Sequence, residues 1–186
     1  RILAILEYVK GNPSGAFVWA TVSNTPTGTY KGSDGHTYAY YLFESDGTLT
    51  VTTAGLLEVL LVSGGGGQRD GTVGGAGGYI VTGLHPFAAG AQSVTIGSAG
   101  PKSASYSGTT GGRTSVGAVT TGATGIGLGT AATSGDWRAP YTSTITGSPV
   151  KVSGRPKNGA QYGGGAEEGN GQPAQPGVAI VKTRLN

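Results

Sequence analysis

A chain of 186 residues with 38 glycines, 11% charged residues, a net charge of +3 and no cysteine has the length of one domain. Its glycine content is about three times the usual share of about 7%, yet no Gly-X-Y period marks a collagen strand, and its apolar residues fall in runs that a flexible linker or disordered tail would lack. The missing cysteines exclude a disulfide scaffold, zinc–thiolate sites and thiol catalysis.

In chain order, Ile2, Ile5, Leu6 and Val9 recur at helical spacing before Gly11, Asn12 and Pro13 stop the segment. That stretch reads equally as a short stalk helix or as an arm in extended conformation. The run 16–22 (Ala-Phe-Val-Trp-Ala-Thr-Val) is a first strand, rich in β-formers. Residues 1–30 are therefore read as an N-terminal arm or stalk end with a first strand, and residues 31–186 as a glycine-rich β domain. His36 to Phe43 is a strand. Asp46-Gly47 predicts a hairpin turn back into Thr48–Val51, since Asp-Gly supplies the positive φ such turns need. Gly55 breaks the pattern, and Leu56 to Val62 is a near-continuous apolar run, which predicts a strand buried on both faces.

Two glycine clusters follow, 64–67 and 74–78 (the latter Gly-Gly-Ala-Gly-Gly), and then strands at 79–84 and 92–97. Residues 98–112 read as polar turns, and 113–133 as short extended segments. His85, before Pro86, reads as a turn residue. Trp137, Arg138 and Tyr141 place bulky groups among small neighbours, and residues 149–172 read as a long loop carrying Tyr162 and Gly163 to Gly165. Pro176-Gly177 introduces a last strand, Val178 to Lys182.

Known chemistries find little purchase here. No GxxxxGK[ST] or GxGxxG occurs. Gly127 to Ala132 fits the looser GxGxxA but lacks a βαβ context. Asp34 lies two residues before His36 and serines abound, so a Ser-His-Asp arrangement is conceivable, but serine is too common in this composition to make that informative. The acids Glu44, Asp46, Glu58, Asp70, Asp136, Glu167 and Glu168 show no spacing that marks a glycosidase pair, and no DxDxDG or HExxH motif offers a metal site. The expectation is no enzyme activity, no metal and no cofactor. The cations are scattered apart from Lys151, Arg155 and Lys157, which argues against nucleic acid as a partner. No apolar run reaches the ~18–20 residues of a membrane-spanning helix. The chain opens on Arg1 and contains no Met, and so reads as part of a longer protein.

The order of the pieces carries a resemblance. A Leu/Val strand runs into glycines (Glu58 to Gly67), a second cluster runs into a strand (Gly74 to Ile80), and Val94-Thr95-Ile96-Gly97 follows. A Tyr-Gly-Gly-Gly stretch (Tyr162 to Gly165) and the closing Pro176 to Val181 strand complete the series. Over residues 36–186 this resembles the glycine-rich C-terminal domain of phage minor tail and tail-fibre proteins of adhesin type. The resemblance implies an all-β, sandwich-like domain with glycine-rich extended segments of polyproline-II type. It also implies a place at the distal tail tip of a virion, other tail proteins as neighbours, a homotrimer, and a host cell-surface glycan or envelope component as the receptor. The competing expectations are a purely structural tail part, a tail enzyme that degrades cell-wall polysaccharide, and a secreted glycine-rich surface protein. Aromatic and arginine side chains in loops supply much of the energy of recognition, which makes Trp137, Arg138, Tyr141, Tyr106, Arg69 and Tyr162 the candidate receptor-binding residues. For Trp137 the competing role is a plug in a small core or subunit interface.

Overall fold

A computed structural model of the chain describes residues 18–68, 75–102, 109–122, 140–167 and 173–185. The expected stalk segment at residues 1–13 lies outside them. The described residues form an all-β sandwich joined to a bundle of glycine-rich extended segments.

The first sheet is antiparallel and runs in the order β2 (Gly28–Lys31), β3 (Thr37–Phe43), β12 (Val178–Arg184), β5 (Gly55–Val62), β6 (Ile80–Phe87). The second runs β1 (Thr21–Val22), β4 (Gly47–Thr53), β7 (Gly90–Thr95), β8 (Ser115–Val116), β9 (Val119–Thr120). Residues from Val18 onward already belong to the sandwich: Trp19 bridges Leu56 and Ala20 is fully buried. The expected division between residues 30 and 31 falls inside β2.

Strand alternation explains the core. On β5, Leu57, Val59 and Leu61 face the second sheet and meet Leu49, Val51, Val94 and Val116, with Tyr41, Ala179 and Val181 beside them. Leu60 and Val62 point the other way. There they pack with Val178, Ile180, Ile145 and Val152 under a separate hairpin, β10 (Tyr141–Ser143) paired to β11 (Val150–Val152). The apolar run 56–62 is thus buried on both faces, as its composition predicts, apart from the partly exposed Glu58.

Asp46-Gly47 does not make a hairpin. β3 lies in the first sheet and β4 in the second, so the chain turns a corner between sheets there. Asp46 ties the corner down by accepting the Ile96 backbone N–H at 2.7 Å. Gly55 returns the chain to the first sheet, and its backbone lies so close to that of Trp19 and Ala20 that a Cβ would have no room. His85 also departs from expectation. It sits within β6 opposite Leu57, and Pro86 is tolerated because β6 is an edge strand.

Beyond β5 the chain continues without strand pairing as 63–68, fully buried and surrounded by five other extended segments: 75–79, 97–102, 109–114, 163–167 and 173–177. Hydrogen bonds leave this central segment with a three-residue period. Gly64 and Gly67 N–H donate to Gly112 and Thr109 of one neighbour, Gly65 N–H to Gln175 of a second, and Gly66 N–H to Ala76 of a third. Its carbonyls at Gly65 and Gly66 accept from Gly100 and Ala166. Three residues per turn with no internal backbone hydrogen bonds is the polyproline-II pattern, and each of these backbone bonds is to another segment. Glycine is required by proximity: a Cβ on Gly64, Gly65 or Gly67 would run into the carbonyl oxygen of Ser98, Gly164 or Pro101. Much of the region expected as polar turns at 98–112, and part of the long loop at 149–172, belongs to this bundle.

Candidate functional site

The bonding pattern fixes the direction of each glycine segment. Segments 63–68, 97–102 and 163–167 run one way, and 75–79, 109–114 and 173–177 run back. The chain therefore leaves the bundle after Gln68, Lys102 and Glu167 and re-enters at Gly75, Thr109 and Pro173, all at the same end. Arg69 and Tyr106 belong to two of the connections. These two residues, with Trp137 and Arg138, lie outside the described residues. Of the six residues expected to bind a receptor, the structure places Tyr141 and Tyr162.

Tyr141 opens β10, opposite Val152, and Val152 in turn bridges Tyr162, so the two tyrosines flank one buried valine. Both are half-buried against the outer apolar layer of the first sheet. The Tyr162 hydroxyl donates to a Glu44 carboxylate oxygen at 2.7 Å. Burial first, and that carboxylate second, push its ionisation up to about 12. Tyr162 thus fastens the outer layer to the β3–β4 corner.

Tyr141 lines a cleft of about 530 Å³ between β10 and the outer face of the first sheet. The sheet supplies a row of outward side chains from adjacent strands: Tyr30 on β2 opposite Tyr38 on β3, then Lys182 on β12 opposite Glu58 on β5, then Thr82 on β6. The hairpin wall supplies Thr142, Ser143 and Thr144. At the floor the Lys182 ammonium meets the Glu58 carboxylate at 2.5 Å, with 12% and 31% of the two side chains exposed. The same ammonium lies 4.8 Å from the centre of the Tyr38 ring.

Tyr38 organises the far wall. Its ring stacks on Tyr30 at 5.6 Å and meets Trp19 in a T-shaped arrangement at 5.9 Å. Its hydroxyl donates to Asp34 Oδ2 at 2.5 Å, while Asp34 Oδ1 accepts the His36 backbone N–H at 3.1 Å. The tyrosine bond, more than the backbone one, holds the Asp34 carboxyl below its ordinary range, and the same contact pushes the Tyr38 phenol up to about 12. Asp34 is therefore a turn residue that braces a tyrosine. Tyr30 is a strut: its hydroxyl donates to the Ile145 carbonyl at 3.2 Å, and Gly147, at φ 82°, sits against its ring.

Sequence reasoning missed Tyr30, Tyr38, Glu58 and Lys182 as a group. The available signal was alternation, which sends all four to the outer face of their strands. The juxtaposition itself depends on β12 pairing between β3 and β5 across more than a hundred residues. Among the described residues no three His, Cys, Asp or Glu side chains gather closely enough to hold a metal ion, and no helix is long and apolar enough to cross a membrane. No protein-family model matches the chain, and no curated protein matches it.

Proposed function

We propose that this chain is a non-enzymatic recognition domain of a phage tail tip, which attaches the virion to a bacterial surface glycan or envelope component. The observation that supports it is the glycine bundle. A glycine-rich core held together through its backbone is a stiff base, and three of the connections between its segments, those after Gln68, Lys102 and Glu167, leave and re-enter it at one end. Recognition residues held on a rigid scaffold are the usual division of labour between core and loops. In this reading Arg69 and Tyr106 contact the receptor directly, while Tyr162 secures the support. The chain works extracellularly beside other tail proteins, as a homotrimer.

The test is adsorption. Purified chain mixed with intact bacterial cells, or with their extracted envelope glycans, should be depleted from solution. Variants Arg69→Ala and Tyr106→Ala should be depleted less at unchanged thermal stability. No depletion by any host cell or extract leaves a purely structural tail part, and release of reducing sugar from the extracts would establish an enzyme instead.

A further inference from the structure

We propose that the cleft between β10 and the first sheet binds an uncharged saccharide unit. The proposal deepens the recognition reading by naming a ligand class and a place on the sandwich, away from the loop end of the bundle.

The volume, about 530 Å³, lies within the range of about 300–1,000 Å³ typical of small-ligand sites. The lining decides the chemistry. Its charged groups are two cations, Lys31 and Lys182, and two carboxylates, Asp34 and Glu58, so the formal charges cancel. A phosphate or an acidic sugar would gain no net attraction there, and a cationic ligand none either. Apolar ligands are also poorly served. The Tyr38 ring is already covered by Tyr30 and by the Lys182 ammonium, and the Tyr30 ring by Gly147. The cleft is instead lined on both walls by residues that carry hydrogen-bonding groups, Thr82 on one side and Thr142, Ser143 (whose hydroxyl also accepts the Ile145 N–H) and Thr144 on the other, with the ion pair at its floor.

That ion pair suits neighbouring hydroxyls. A carboxylate has about four acceptor sites and an ammonium three donors, so one mutual contact leaves capacity on each. Glu58 can accept from one hydroxyl of a sugar diol while Lys182 donates to the next oxygen along. Being held together before binding, the two lose little side-chain freedom when a ligand arrives. The surrounding groups keep this pair in place: Lys182 is fixed over Tyr38, and Tyr38 by its bond to Asp34.

The experiment is an NMR titration of the whole chain with neutral monosaccharides (glucose, galactose, mannose, rhamnose, arabinose and N-acetylglucosamine), with glucuronate and inorganic phosphate as charged comparators. At least one neutral sugar should shift the amide signals of Glu58, Lys182 and residues 142–144, while the comparators leave them unmoved. Glu58→Gln and Lys182→Gln should each weaken that binding about tenfold or more, as expected when a charged hydrogen-bonding partner is lost. A folded spectrum for each variant separates lost binding from lost structure. The proposal is overturned if no neutral sugar perturbs the cleft, if glucuronate or phosphate does so more strongly, or if both variants bind as the parent does. Cell adsorption distinguishes the two readings: parent and E58Q adsorbing equally keeps the recognition role and removes the cleft from it. A chain that binds a sugar in the cleft but adsorbs to no cell does the reverse.

Discussion

The Tyr38 hydroxyl and the Asp34 carboxylate, four residues apart and 2.5 Å from each other, close the turn between β2 and β3 and brace one wall of the cleft. The contact stabilises an ionised carboxylate and a protonated phenol, so it has two pH limits. Asp34 is depressed on folding, so its contribution is present above its ordinary value near 3.8 and is lost as pH falls through the lowered one. Tyr38 is raised, so its contribution is complete below about 10 and is lost as pH rises toward about 12. Asp34→Asn should bring the Tyr38 phenol back toward 10. A spectrophotometric tyrosine titration of parent and variant checks this, and an unchanged titration would mean that Asp34 is not the cause.

Gly65→Ala tests the bundle. The new Cβ would meet the Gly164 carbonyl, which accepts the Gln175 N–H, and force apart two segments that are bonded from the Ala166 N–H to the Gly66 carbonyl. Overpacking costs roughly 1–3 kcal/mol and sometimes more, and here lost backbone bonds add to it. We expect a stability loss near the top of that range by denaturant unfolding. Gly47→Ala, whose Cβ would find only an ordinary contact with Phe43, should stay within about 0.5 kcal/mol of the parent.

Asp46→Ala removes the acceptor for the Ile96 N–H and frees the corner between the sheets. The expected cost is about 1 kcal/mol, the usual net worth of such a bond. Amide exchange at Ile96 should accelerate well beyond that at Val94, whose position opposite Gly47 lies within the paired part of β7. Equal protection of Ile96 in parent and variant would show that the side-chain bond is not what holds it.

Gly147→Ala pushes a methyl group into the Tyr30 ring at a backbone angle, φ 82°, that alanine adopts reluctantly. The β10–β11 hairpin should loosen from the sheet, which limited proteolysis reports as earlier cleavage within residues 141–152. Tyr30→Phe, which loses only the bond to the Ile145 carbonyl, should show a smaller effect in the same direction.

The sandwich was readable wherever burial leaves a periodic trace. The run 56–62 and the closing strand from Val178 stand out because they are buried on both faces. Asp46-Gly47 misled because a tight turn has the same local chemistry whether the chain folds back on its own strand or crosses to the other sheet, and only the pairing of β4 with β7 decides. The bundle segments 97–102 and 109–114 were invisible as structure because a polyproline-II helix packed through its backbone has no apolar face to repeat. In the cleft, Tyr141 could be suspected from its bulk among small neighbours. Glu58 and Lys182 could not, since each reads as a single polar interruption in an apolar strand until β5 and β12 lie side by side.

The glycine bundle also shapes how stability varies with temperature. Exposing apolar surface raises the heat capacity on unfolding, whereas exposing polar surface lowers it. The sandwich core is built from leucine and valine side chains, but the buried segment 63–68 and its neighbours release mainly amide groups when they come apart. The two halves of the domain therefore pull the heat-capacity change in opposite directions. The whole should unfold with a smaller change per residue than a leucine-cored sandwich of equal length, and its stability should fall away more gently toward cold as well as toward heat.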